Sequence, residues 1–199
     1  MLTYLGFKDC GGKKIIYYTP TWRYGAYDIP LTKFSGFDHN DFEEFLLENN
    51  FLFFYSLHTE NLPRTLNISN QKNIFFINPL KKPFFDTTKF LNEIDILIND
   101  YSSTSTEASL IKIPQIFVSP DLLEYKNKVG FLIDYEKNLT GPLAKNYQML
   151  KKYIKLYSNK PNLHTQKFDH KMKVSNNFFY DNTNQNSNTL WLKFLKKLI

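Results

Sequence analysis

A chain of 199 residues, 42% hydrophobic and 17% aromatic, can bury a full core without covalent staples, which argues against disorder. Its single cysteine, Cys10, excludes an internal disulfide framework and a cysteine-cluster metal site, and fits a reducing, cytoplasmic setting. The net charge of +6 suits an anionic partner, a phosphate-rich substrate or an acidic lipid surface. Nucleic acid is excluded as the favoured partner because no zinc finger, helix-turn-helix or glycine-rich RNA-binding motif accompanies that charge.

The first β-rich run is Lys14–Tyr18, and it leads into Tyr18-Thr19-Pro20-Thr21-Trp22-Arg23, a turn at Pro20 that offers one of only two arginines, the other being Arg64. Arg23 carries a forked donor set suited to phosphate, whereas Trp22 reads as packing. Asp38–Asn50 reads as a helix with an Asp cap and with Phe42, Phe45 and Leu46 on one face. The apolar strand Phe51–Ser56 then delivers Leu57-His58 to its carboxyl end. Strands follow at Ile74–Ile77, Ile94–Asn99, Gln115–Ser119 and Phe131–Asp134, with helices at Thr88–Asn92, Ser103–Lys112 and Leu122–Lys126 between them. Pro142–Tyr157 reads as a long, basic, periodic helix, Ser175 to Asn188 as an Asn-rich loop, and 188–198 as a closing helix.

Most of the strands are continuously apolar, as strands covered on both faces are, and they alternate with helices. The pattern predicts an α/β domain over 1–199 with a doubly wound parallel sheet, the alternative being an α+β arrangement. No apolar run approaches the roughly 20 residues a bilayer span needs. Met1 to Lys14 lacks a charged region followed by an apolar one, so no signal peptide is read there. The expectation is a soluble cytoplasmic chain.

Chemistry concentrates in Asn99-Asp100-Tyr101-Ser102-Ser103-Thr104, where a buried strand hands over to a helix. Ligands of open α/β sheets bind outside the carboxyl ends of strands, and a first helical turn presents N–H groups and positive potential. The hydroxyls of Ser102, Ser103 and Thr104 add donors, so the turn is a candidate phosphate or pyrophosphate site. A plain Ser/Thr cap would account for one hydroxyl, not three. His58, at the same edge, can donate to a phosphoryl oxygen or serve as acid or base, although a structural role for a lone strand-end histidine stays open.

Taken in order, these segments resemble the CDP-glycerol glycerophosphotransferase family, the teichoic-acid and capsule polymerases. The resemblance rests on Tyr18 to Arg23, Leu57-His58 and Asn99 to Ser103 with Glu107. It continues through Pro120 to Tyr125, Gly130-Phe131 with Asp134-Tyr135, Thr140 to Leu143, and a looser stretch from Phe178 to Ser187 with Asp181. It implies the Rossmann-like C-terminal, donor-binding half of a two-domain glycosyltransferase-B architecture, with the N-terminal half not matched. By resemblance, Ser102 and Ser103 bind the donor pyrophosphate beside Thr104, whose hydroxyl makes it a further phosphate candidate, Asp100 holds the turn, Arg23 assists near the interdomain cleft as a donor-phosphate residue, and His58 is catalytic through the charge it stabilises. Glu107 supports the helix or reaches the nucleotide ribose.

Thr59 and Thr140 depart from the family, which more often has proline at both positions. The implied reaction moves glycerol phosphate from CDP-glycerol to a polyol-phosphate or lipid-linked glycan acceptor. No cofactor is expected, and no metal, since the sequence has no Asp-x-Asp triplet. Three readings stand side by side: a transferase, a donor-binding remnant or subunit that needs a separate N-terminal partner, and a transferase using CDP-ribitol or a nucleotide sugar. The lysines from Lys145 to Lys155 and from Lys193 to Lys197 suit either a solvated helix face or peripheral attachment to an anionic membrane on its inner face.

Overall fold

The computed structural model describes residues 1–23, 30–62, 72–180 and 187–196. In chain order the elements are α1 (Leu2–Leu5), β1 (Lys14–Tyr18), α2 (His39–Glu48), β2 (Phe51–Ser56), β3 (Ile74–Ile77), α3 (Thr87–Leu91) and β4 (Ile96–Asn99). They continue with α4 (Thr104–Leu110), β5 (Gln115–Val118), α5 (Leu122–Lys128), β6 (Leu143–Ala144), α6 (Tyr147–Asn159), α7 (Pro161–Phe179) and α8 (Ser187–Leu195). The strands form one sheet in the order β3-β2-β1-β4-β5-β6, and every pairing is parallel. This is the doubly wound Rossmann order, with the direction of winding reversing between β1 and β4.

Alternation along the strands divides the core in two. Ile16, Tyr18, Phe53, Ile96, Ile98 and Ile116 face one side. There they meet Phe42 and Leu46 of α2, Leu150 and Ile154 of α6, and Phe168 and Met172 of α7. Ile15, Tyr17, Leu52, Phe54 and Leu97 face the other side, against Phe90 and Leu91 of α3 and Ala108 of α4. Each large apolar side chain so buried contributes about 1.5–3 kcal/mol.

Local signals set the helix starts. Asp38 caps α2 by accepting from the Asp41 N–H at 2.8 Å, Asp86 caps α3 through the Lys89 N–H at 3.0 Å, and Asn146 caps α6 through the Met149 N–H at 2.9 Å. Pro161 opens α7, where its missing N–H is not needed.

Two expectations are corrected. The segment 131–134 is not the sixth strand: Phe131 packs its ring on Tyr135, centroids 5.2 Å apart, and on Tyr101 at 5.3 Å, while Leu132 points to solvent. The sheet edge is taken by β6, whose Leu143 and Ala144 pair with Phe117 and Val118. Its approach requires Gly141, since a Cβ there would sit 2.2 Å from the Gln115 carbonyl oxygen. Consequently α6 begins at Tyr147 rather than at Pro142. The second correction is α7, which occupies 161–179 where no helix was expected and extends into the supposed loop from Ser175. Its buried stripe is only His164, Phe168 and Met172, too thin to stand out among polar residues.

Candidate functional site

Four loops leave the carboxyl ends of β1, β2, β4 and β5 and meet at the sheet edge. The Asp100 carboxylate, 2% exposed as a residue, accepts from Thr21 N–H at 2.9 and 3.0 Å, from the Thr21 hydroxyl at 2.8 Å and from Tyr101 N–H at 2.6 Å. It also forms an ion pair with Arg23 Nη1. Asp121, just past β5, accepts from Arg23 Nε at 2.9 Å and Nη2 at 3.1 Å, and from the Tyr101 hydroxyl at 3.0 Å. The Arg23 guanidinium lies over the rings of Tyr101 and Tyr125, 4.9 and 5.3 Å from their centroids. Those two rings stack on each other at 4.1 Å.

Burial works against the charge on Arg23, but Asp121 and Asp100 outweigh it and raise its pKa further. Burial also pushes Asp121 upward, and the Arg23 hydrogen bonds and charge, with the Tyr101 hydroxyl, more than reverse this and hold it below the usual carboxylate value. Burial and the neighbouring Asp121 charge push Tyr101 far up, so its hydroxyl stays a donor.

The turn into α4 is organised from the strand. Asn99 accepts from the Asp100 N–H at 2.9 Å and donates to the Ser102 carbonyl at 3.2 Å. The Ser102 hydroxyl lies 3.0 Å from that of Thr104 and accepts from the Thr104 N–H at 3.3 Å. Ser103, at the cap position, is exposed and makes no side-chain cap bond, which leaves its hydroxyl facing solvent. His58 is exposed just past β2, and its Nδ1 accepts from the Glu60 N–H at 3.3 Å. In the neutral ring the proton therefore sits on Nε2, available to a ligand.

A small open cleft at this edge is lined by Pro20, Thr21, Arg23, Leu57, His58 and Asn61, among others. A second lies between Arg23, Lys33, Asp121, Glu124, Tyr125 and Lys128.

The structure thus joins Arg23 to Asp100 directly and sets His58 on the same cleft as Arg23. Ser102 and Thr104 contact each other in the adjoining turn. Glu107 stands apart, with its carboxylate accepting from the Thr88 hydroxyl of α3 at 2.7 Å. Arg64 and Asp181 lie outside the described residues. Sequence reasoning assigned no role to Asn61, Asn99, Tyr101 or Asp121. The signal for Asp121 was available, because it follows β5 as Asp100 follows β4. No group of three or more His, Cys, Asp or Glu side chains arranged to hold a metal occurs among the described residues.

A parallel sheet in this order, with hydroxyls and a histidine gathered at its carboxyl edge, defines a Rossmann-like α/β fold with its ligand-binding edge at the strand ends. Residues 5–191 match the family described as CDP-glycerol:poly(glycerophosphate) glycerophosphotransferase, and the chain belongs to that family. The teichoic acid poly(ribitol-phosphate) polymerase of Bacillus spizizenii is 31% identical over 148 residues, 72% of this chain and 22% of that one. The teichoic acid poly(glycerol phosphate) polymerase of Bacillus subtilis is 29% identical over 185 residues, 85% of this chain and 21% of that one. The chain therefore spans about a fifth of the length of these relatives.

Among solved structures, the wall teichoic acid polymerase TagF superposes with a TM-score of 0.60 at 26% identity, covering 82% of this chain and 38% of that one. A histidine variant of TagF soaked with CDPG gives 0.62 at 26% identity, covering 83% and 37%.

Proposed function

We propose that this chain binds a CDP-linked polyol donor at the carboxyl edge of its sheet and serves the transfer of glycerol phosphate from CDP-glycerol to a polyol-phosphate or lipid-linked glycan acceptor. The observation that carries this reading is the meeting of the β1, β2, β4 and β5 loops around His58, Arg23 and the Asp100–Thr104 turn, in a chain of this family. In this reading Ser103, Ser102 and Thr104 receive the pyrophosphate, with Asp100 and Arg23 holding the turn behind them. The acceptor oxygen bonds to the β-phosphorus, the phosphoanhydride bond to CMP breaks, and the acceptor proton passes to a base. His58 Nε2–H stabilises the charge that builds on the phosphoryl oxygens. Acceptor binding falls to a second domain, because a site of this architecture lies between two halves.

A CDP-ribitol donor is the second reading, favoured by the similarity to ribitol-phosphate polymerases. Attachment to the inner face of a membrane is supported by α8, where Trp191, Leu192, Phe194 and Leu195 are exposed beside Lys193 and Lys196.

Calorimetric titration with CDP-glycerol, CDP-ribitol, CDP and UDP tests the donor reading. Saturable binding that prefers cytidine and weakens at least about tenfold in His58→Ala and Ser103→Ala is the expected result, the loss of a charge-assisted bond being of that size. Equal affinity for UDP, or variants that bind as the parent does, would remove it.

A further inference from the structure

One residue ties together four loops, three through its guanidinium and one through its backbone. Arg23 belongs to the loop after β1, Asp100 to the turn after β4 and Asp121 to the turn after β5, and their side chains are 8%, 1% and 4% exposed. The loop after β2 joins through Asn61, whose side-chain oxygen accepts from Arg23 N–H at 2.9 Å and whose amide donates to the Arg23 carbonyl at 2.7 Å. The guanidinium makes four hydrogen bonds, to Asp121 through Nε and Nη2, and to Asp100 and the Thr21 carbonyl through Nη1. Of the five N–H groups an arginine carries, that leaves one. A phosphate could take at most that one N–H, and a forked, two-bond grip would require displacing a carboxylate.

We infer that Arg23 is a positioning residue rather than a phosphate ligand: it clasps the β1, β2, β4 and β5 loops so that the Asp100–Thr104 turn keeps its shape, with Asp121 as its balancing charge. This deepens the donor-binding reading and rests on it for its functional consequence.

The two carboxylates do not depend on Arg23 equally. Asp100 keeps Thr21 N–H, the Thr21 hydroxyl and Tyr101 N–H as donors when the guanidinium is removed. Asp121 relies on Arg23 and on the Tyr101 hydroxyl. Removing Arg23 therefore strips the cation from both buried carboxylates and leaves Asp121 with the fewer remaining donors, so neutralising Asp121 should relieve much of the damage.

The experiment compares the parent chain with Arg23→Met, Asp121→Asn and the double variant by amide hydrogen exchange and by titration with CDP-glycerol at several salt concentrations. Arg23→Met is expected to speed exchange at the Thr21 and Tyr101 amides and to weaken CDP-glycerol binding by about tenfold or more. The double variant is expected to recover most of both, with the salt dependence of binding the same as in the parent, since no phosphate contact has been lost. A phosphate ligand would behave differently: normal exchange in Arg23→Met, a flatter salt dependence, and no recovery in the double variant. That outcome overturns the inference.

If the parent chain does not bind CDP-glycerol, the donor reading fails, and the exchange data decide the clasp alone, recovery in the double variant supporting it and no recovery overturning it. Should Arg23→Met not fold, Arg23→Lys keeps the charge but cannot bridge both carboxylates. Faster exchange at Thr21 and Tyr101 in that variant supports the clasp, and parent-like exchange overturns it.

Discussion

Gly141 shows how a single side chain decides a strand position. A Cβ at 141 would lie 2.2 Å from the Gln115 carbonyl oxygen, 2.8 Å from its carbon and 3.2 Å from His164 Nε2. The two backbone atoms belong to β5 and cannot swing aside, so the added methyl must push β6 away. Gly141→Ala is expected to lower unfolding free energy by about 2–3 kcal/mol, the scale of overpacking in a close-packed core. Urea denaturation of the purified variant measures this. An unchanged midpoint would mean that the 141–144 segment sits farther from β5. At the same scale, His58 and Arg23 carry similar sequence signals, a polar residue just past an apolar strand, yet end in opposite environments, one exposed and one 7% exposed. The difference lies in what comes back to meet them: Asp100 and Asp121 close on Arg23, while the His58 side chain, among the described residues, makes a local bond to Glu60 N–H.

Among the elements, α8 differs from the helices of the core. Trp191, Phe194 and Leu195 share one side by their spacing, while Lys193 and Lys196 share another, and all are exposed. Exposed large apolar side chains flanked by lysine suit the boundary between headgroups and acyl chains, with about 1 kcal/mol per lysine from anionic lipid. Flotation with anionic vesicles is expected to carry the chain upward, high salt to weaken this, and Trp191→Ala/Phe194→Ala to abolish it. Equal flotation with neutral vesicles, or none with either, would refute the electrostatic part. Among the described residues no helix is long and apolar enough to cross a membrane, so any attachment through α8 would be along the surface.

For the whole molecule, stability depends on a buried histidine at the seam between β5 and α7. His164 is fully buried and its Nε2 accepts from the Gln115 N–H at 3.1 Å, so the ring is neutral in the folded state. Burial, partly offset by backbone hydrogen bonds, pushes its pKa down from 6.5 to about 4. Between those values the unfolded chain binds the extra proton, so this contribution is fully present above pH 6.5 and is lost as pH falls toward about 4. The loss is on the order of 3 kcal/mol across that window, at about 1.4 kcal/mol per pH unit. Urea midpoints at about pH 7 and about pH 5 should differ in the parent chain and differ less in His164→Gln, which keeps an acceptor without the titration. Parallel behaviour of the two proteins would place the charge change elsewhere.

Periodicity and local chemistry were enough to locate most of the elements. Continuous apolar runs marked five of the six strands, Asp38 marked the start of α2, and the strand-to-helix turn at Asp100 and the His58 position were readable because strand ends and helix starts are local features. The ordered motifs carried the family, since their sequence order survives without coordinates. Other features were decided only by tertiary structure. The sixth strand sits at Leu143–Ala144 because Gly141 permits contact with β5, while Phe131 finds ring partners that hold it out of the sheet. Helix α7 gains its register from three residues spaced four apart, a signal that acquires meaning only once α4 and the sheet are there to cover them. Likewise Arg23, Asp100 and Asp121 are separated by 77 and 98 residues from one partner to the other. Their pairing is a property of the sheet order, which brings the ends of β1, β4 and β5 side by side, and no local pattern in the chain encodes it.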